Sequence, residues 1–154
     1  MTARQPAWVI SDVAAGPAHA REQLARVIRE TPSALSMVER DLAALVVAVV
    51  LADTETAREI EARLVDRGVD RRLLDAVPAA AGRWSVTDDD RLDVIAAYAA
   101  KLTRAPATVV EGDIVRLRTF GLTDLDIVVL NQLVAYGNYV SRVARGLGPG
   151  GEPA

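Results

Sequence analysis

A chain of 154 residues with 18 basic and 21 acidic side chains carries a net charge of −3 and is long enough to bury one core without metal or disulfide staples. It has no cysteine, which excludes disulfides, thiolate ligands and cysteine redox chemistry, and its lone histidine, His19, excludes a metal site built mainly on imidazole. No Lys/Arg cluster marks a nucleic-acid surface, the N-terminus lacks the apolar core of a secretory signal, and the longest apolar run, 42 to 52, falls short of the ~20 residues of a bilayer span. These features predict a soluble, cytoplasmic protein with neither nucleic acid nor membrane as partner.

Residues 1–16 show no sustained period and read as an N-terminal arm. From Ala18 to Glu30, Leu24, Val27 and Ile28 recur at helical spacing, and Thr31-Pro32 stops that helix. Ser36 and Glu39 fit a capping box that opens a helix over about 37–52. After Asp41 this helix is apolar all round, which predicts burial on every side. Asp53 suits the N-cap of a third helix that reaches about Arg67 and is closed by Gly68, with Ile60 and Leu64 inward. Asp70 caps a short helix over about 71–80 that turns Leu73, Leu74 and Val77 inward. The loop AAGRWS, 80–85, holds Trp84 as filler of the core or of an interface.

Thr87 then caps a helix striped by Leu92, Ile95, Ala99 and Leu102. The acids from Asp88 to Asp90 complement its dipole and lack the alternating spacing of a calcium loop. APATV, 105–109, breaks it, and EGDIVRLRTFG, 111–121, makes another short helix closed by Gly121. Thr123 and Asp126 form a second capping box for a final helix of about 24 residues, and Pro149–Ala154 is a flexible tail. Strand alternation persists nowhere. The expected fold class is all-α: an orthogonal bundle of about six to seven helices, one domain over 17–148 between the arm and the tail.

Three segments together resemble the AhpD-like, carboxymuconolactone-decarboxylase-related family. LSMVERDLAALVVAVV, 35–50, is similar to the family helix in which a Glu-Arg pair precedes small and aliphatic residues. YAAKLTRAPATVVEGDIVRLRTFGLTDLDI, 98–127, resembles A-x-K-L-T-x-x-P followed by V-x-x-x-D-v-x-x-L-r-x-x-G-f-s-D-x-x-I. LVAYGNYVSRVARGLG, 133–148, is similar to A-Y/F-x-N-x-x-N-R-x-A-x-G-L-G, with Asn138, Arg142 and Gly146 matching and Ser141 standing where Asn is common. The resemblance covers 35–148 and implies an AhpD-like bundle of the peroxidase-related branch, assembled as oligomers. The family's chemistry sits at E-x(11)-C-x-x-C-x-x-x-H, where a helix N-terminus lowers a thiol pKa. Aligned without gaps on Glu39-Arg40, the two Cys positions hold Asp53 and Thr56, the His position Ile60, and the relay-Glu position Asp41. Only Asp41 keeps the chemical type. The resemblance therefore implies a degenerate member, without the CxxC motif, that cannot run the dithiol reaction by itself.

The candidate site residues follow from the vacated motif. Asp53 is either a helix cap or a general base, helped by Glu55 or Glu59, whose pKa the end of an apolar helix would raise. Asp41 is either a surviving proton relay or a first-turn acid stabilised by the dipole. Glu39 and Arg40 either pair structurally at a subunit contact or act as a functional pair. Tyr136, Asn138, Tyr139 and Arg142 share the last helix; Asn138 and Arg142 lie on one face and either line a pocket or fix helix or subunit register. His19 lies outside the resembling region. Neither a cofactor nor a metal is implied. The expected function is a non-redox subunit associated with peroxidase-type oxidoreductase metabolism. Its partner is either itself (a dimer, trimer or hexamer) or a Cys-bearing paralogue. The alternative is a thiol-independent enzyme of the decarboxylase branch, using carboxylates to move protons on a small lactone or keto acid; a small-ligand-binding module is a third reading.

Overall fold

The computed structural model describes residues 16–79 and 90–147. They form α1 (Gly16–Glu30), α2 (Met37–Val50), α3 (Thr54–Asp66), α4 (Arg71–Ala79), α5 (Asp90–Arg104), α6 (Glu111–Thr119) and α7 (Asp124–Leu147), with one 3₁₀ turn at Pro106–Thr108. Among the described residues there is no strand, so the all-α class and the helix number agree with expectation. The arm, the tail, the loop with Trp84 and the cap expected at Thr87 lie outside the described residues.

The chain divides into two units, 1–31 and 32–154. In the first, α1 is amphipathic: Ile28 is buried, Leu24 and Val27 are exposed, and His19 hydrogen-bonds Gln23 one turn on. The second unit is organised around α2, which packs against α3, α5 and α7. Leu42, Ala43, Leu45, Val46, Val47 and Ala48 are at most 3% exposed, whereas Ala44, Val49 and Val50 are half-buried, so the burial expected on every side is met over most of the helix but not at its C-terminal end. Each Leu or Val buried in this way contributes about 1.5–3 kcal/mol relative to exposure. Gly137 lets α7 cross α2 closely: a Cβ there would stand 3.0 Å from Val47 Cγ1.

Both expected capping boxes form. The Glu39 N–H reaches the Ser36 hydroxyl at 3.2 Å while the Ser36 N–H reaches the Glu39 carboxylate at 2.6 Å. At the start of α7, the Asp126 N–H reaches the Thr123 hydroxyl at 3.2 Å and the Thr123 N–H reaches Asp126 Oδ2 at 2.8 Å. Asp126 is fully buried and also accepts the Ala34 N–H at 2.7 Å, which ties the start of α7 to the loop before α2. Lys101 on α5 holds Asp113 on α6 at 2.7 Å, and Asp113 in turn accepts the Val110 N–H at 2.8 Å.

Candidate functional site

The α2–α3 junction is built from two helix ends sharing one residue. The helix stops at Val50, two residues before the expected boundary, in a Schellman turn. The Ala52 N–H bonds Val49 O at 3.0 Å and the Asp53 N–H bonds Ala48 O at 2.8 Å. Ala52 takes the left-handed conformation, φ 54°, which this turn ordinarily assigns to glycine. Asp53 ends that turn and at once caps α3, its Oδ1 accepting the Thr56 N–H at 3.1 Å. Its other oxygen accepts the Ser141 hydroxyl at 2.6 Å, from a buried position on α7.

Partial burial pushes the Asp53 carboxyl up, but the Ser141 hydroxyl, the Thr56 N–H and hydroxyl, and the Arg145 charge outweigh it. The carboxyl lies below its ordinary value, not above it. The raised pKa expected for an acid at the end of an apolar helix is therefore corrected. Desolvation acts as foreseen, yet donors from two helices stabilise the anion more strongly. Beside Asp53 opens a cleft of about 400 Å³. Ala48, Val49 and Ala57 give it apolar walls, and Arg58 and Glu61 bring charges of both signs.

Asp41 does not share this cleft. On the order of 14 Å along the α2 axis separates it from the last helical residue before the junction. It is buried, and it takes Arg63 at 3.4 Å and Arg67 at 3.2 Å, both from α3. Ile60, at the position of the family's histidine, is 3% exposed in the core, Thr56 is half-buried, and Glu55 and Glu59 are exposed. Of the residues at the vacated motif, the structure thus joins Asp53 to Thr56 and leaves Asp41 and Glu55 elsewhere.

The remaining candidates hold helices together. Glu39 accepts Arg91 Nε from α5, and the same guanidinium donates to Phe120 O at 2.9 Å. Arg40 donates to Leu35 O at 3.1 Å and to the Ser33 hydroxyl at 2.8 Å. Asn138 donates to the Thr103 hydroxyl at 3.2 Å and to Val134 O at 3.0 Å, and Arg142 reaches its amide oxygen at 3.4 Å. Tyr136 is half-buried and Tyr139 exposed. A smaller cavity of about 180 Å³ lies beside Tyr98, Lys101 and Asp113. Among the described residues no group of three or more acids and histidines is arranged to hold a metal ion, and no helix is long and apolar enough to cross a membrane.

Ser141 is the site residue that sequence reasoning missed. A signal existed, because Ser141 and Asp53 both depart from the family pattern, and the two departures meet in one hydrogen bond.

This arrangement of helices occurs in solved structures. The chain is similar to an uncharacterized peroxidase-related protein from Silicibacter sp. TM1040, with 27% identity and a TM-score of 0.75 over 83% of this chain and 66% of that one. It is also similar to the alkylhydroperoxidase AhpD core of an uncharacterized peroxidase-related protein from Ralstonia eutropha JMP134, at 22% identity, TM-score 0.72, covering 89% of this chain and 73% of that one. The second likeness speaks for the fold alone, and the match spans just under two thirds of the first protein's length. No family model and no curated protein matches the sequence. The fold defines a helical protein of the AhpD-like class. Its helices are arranged as in the AhpD-like, peroxidase-related structures, and it carries no cysteine.

Proposed function

We propose that this chain is a non-redox member of its family, an oligomeric or partner subunit that serves peroxidase-type oxidoreductase metabolism without carrying the dithiol step. The observation that supports it is the Ser141–Asp53–Thr56 cap at the vacated motif. Both carboxylate oxygens are engaged in holding helices, and the histidine position is a core isoleucine. Leu125, Val128 and Tyr139 on α7, each about half exposed, offer apolar surface for assembly. Light scattering on the chain alone and with a Cys-bearing paralogue tests the reading. The expected mass exceeds the monomer in at least one case; a clean monomer in both overturns it.

The cleft of about 400 Å³ beside Asp53 favours a second reading, a thiol-independent enzyme of the decarboxylase branch. There Asp53 would move a proton on a small lactone or keto acid. Its lowered pKa counts against it, since a stabilised carboxylate is a weak base near neutrality. Asp53→Ala separates the two. Loss of thermal stability alone supports the cap, and loss of turnover at unchanged melting supports catalysis.

A further inference from the structure

Along α7 the exposed positions between its first and penultimate turns are Leu125, Val128, Gln132, Ala135, Tyr139 and Arg142. Their spacing alternates strictly between three and four residues, the seam of a helix that packs against a second helix. From Leu125 to Tyr139, roughly 21 Å of helix, the seam carries no charge. The outward face of α3 behaves differently: beside Ala62 and Val65 it exposes the charged Glu55, Arg58, Glu59 and Asp66. An ordinary solvated face looks like α3. Leu125 and Val128 are each 52% exposed and Tyr139 is 49% exposed, so α7 exposes three large apolar side chains along this one face.

The ends of the seam have opposite charge. Asp124, whose side chain is 79% exposed although Arg118 reaches it at 2.8 Å, stands at the N-terminal end, and Arg142 stands at the C-terminal end. We propose that this seam is a self-association surface, on which α7 of a second copy docks antiparallel about a two-fold axis at Gln132. This rests on the oligomeric reading above and assigns it a place. Antiparallel pairing about Gln132 sets Leu125 opposite Tyr139 of the second copy and brings Asp124 beside the Arg142 of that copy. Parallel pairing would instead set Asp124 on Asp124 and Arg142 on Arg142. A two-fold contact must be self-complementary, and this seam is so only in the antiparallel sense. Gln132 fits the axis because its amide both donates and accepts, so two copies satisfy one another there.

A chain without cysteine makes the test direct. Under mild oxidation Gln132→Cys is expected to cross-link to itself. Leu125→Cys and Tyr139→Cys together are expected to cross-link, whereas Leu125→Cys alone is not. The pair Leu125→Glu/Val128→Glu changes only exposed positions and is expected to halve the mass seen by light scattering, with the helical circular dichroism unchanged. Self-cross-linking by Leu125→Cys alone, or a mass that survives the two glutamates, overturns the surface while leaving the oligomeric reading intact. A mass that falls only when a Cys-bearing paralogue is present overturns the second copy as occupant. Wild-type chain that is monomeric at all concentrations overturns this surface and homo-oligomerisation together.

Discussion

The junctions α2–α3 and α6–α7 solve one problem with different residues. Each ends a helix in a Schellman turn and starts the next within a few residues, with an aspartate holding the new N-terminus. At α6–α7 every residue suits its place: Gly121 takes the left-handed position at φ 83°, Thr123 and Asp126 make a reciprocal box, and Asp126 is sealed from water. At α2–α3 the left-handed position falls to Ala52, and a single half-buried aspartate caps alone, steadied by a serine from α7. The first junction is consistent at every level; the second breaks a local rule beside a cleft. Such breaks concentrate where a fold holds, or once held, chemistry. Here the break coincides with the positions where the family resemblance sets the dithiol.

The largest effect that would sharpen this contrast is Asp126→Ala. It strips acceptors from the Ala34 and Thr123 N–H groups around a fully buried site, with an expected loss of about 3 kcal/mol in urea unfolding. Asp53→Ala removes a cap at a site water can reach, with an expected loss of about 1–2 kcal/mol. If the order were reversed, the α2–α3 junction would be the stronger tie and the contrast would fail.

Acid titration probes the same pair. Burial pushes both Asp53 and Asp126 up, but hydrogen bonds outweigh it, from Ser141 and Thr56 at Asp53 and from Thr123, Ala34 and Ser33 at Asp126. Asp113 is lowered first by its bond from Lys101. A carboxyl lowered in the folded state binds protons less readily there than in the unfolded chain. Its stabilisation is therefore complete above the ordinary value of 3.8 and is lost as pH falls through the folded pKa. Melting temperature should fall on acidification below about pH 4. The fall should be shallower in Asp53→Asn and in Asp126→Asn than in the wild type; an unchanged slope in both would show that neither carboxylate is stabilised by folding.

What was legible in the sequence follows the range of each interaction. The capping boxes of α2 and α7 and the Asp53 cap act over three residues, so spacing alone reveals them. The Ser141–Asp53 bond spans 88 residues, Asp126 to Ala34 spans 92, and Arg91 to Glu39 spans 52. Those pairs depend on how helices cross, which hydrophobic periodicity does not encode. Asp41 illustrates the division: its location in the first turns of α2 was readable, but its arginines on α3 were not, because exposed-looking Arg63 and Arg67 matter only once α3 folds back along α2. The early stop of α2 escaped for a local reason, since an alanine in the left-handed position has no sequence signature.

That alanine provides the smallest and most pointed test. A left-handed non-glycine residue costs roughly 1–2 kcal/mol, and glycine relieves it while losing about 0.5–1 kcal/mol to its freer unfolded chain. Ala52→Gly should therefore stabilise the protein by about 0.5–1 kcal/mol, raising its urea midpoint. Gly121→Ala runs the other way: it imposes the same strain at φ 83° and sets a Cβ 3.3 Å from Arg91 Nη1, the guanidinium that holds Glu39. If both substitutions behave so, the two junctions share one backbone design. The α2–α3 turn then carries removable strain, and any change in ligand binding or assembly that accompanies Ala52→Gly would show that the strain shapes the cleft. Stabilisation with no such change would show that Ala52 is tolerated there without being required.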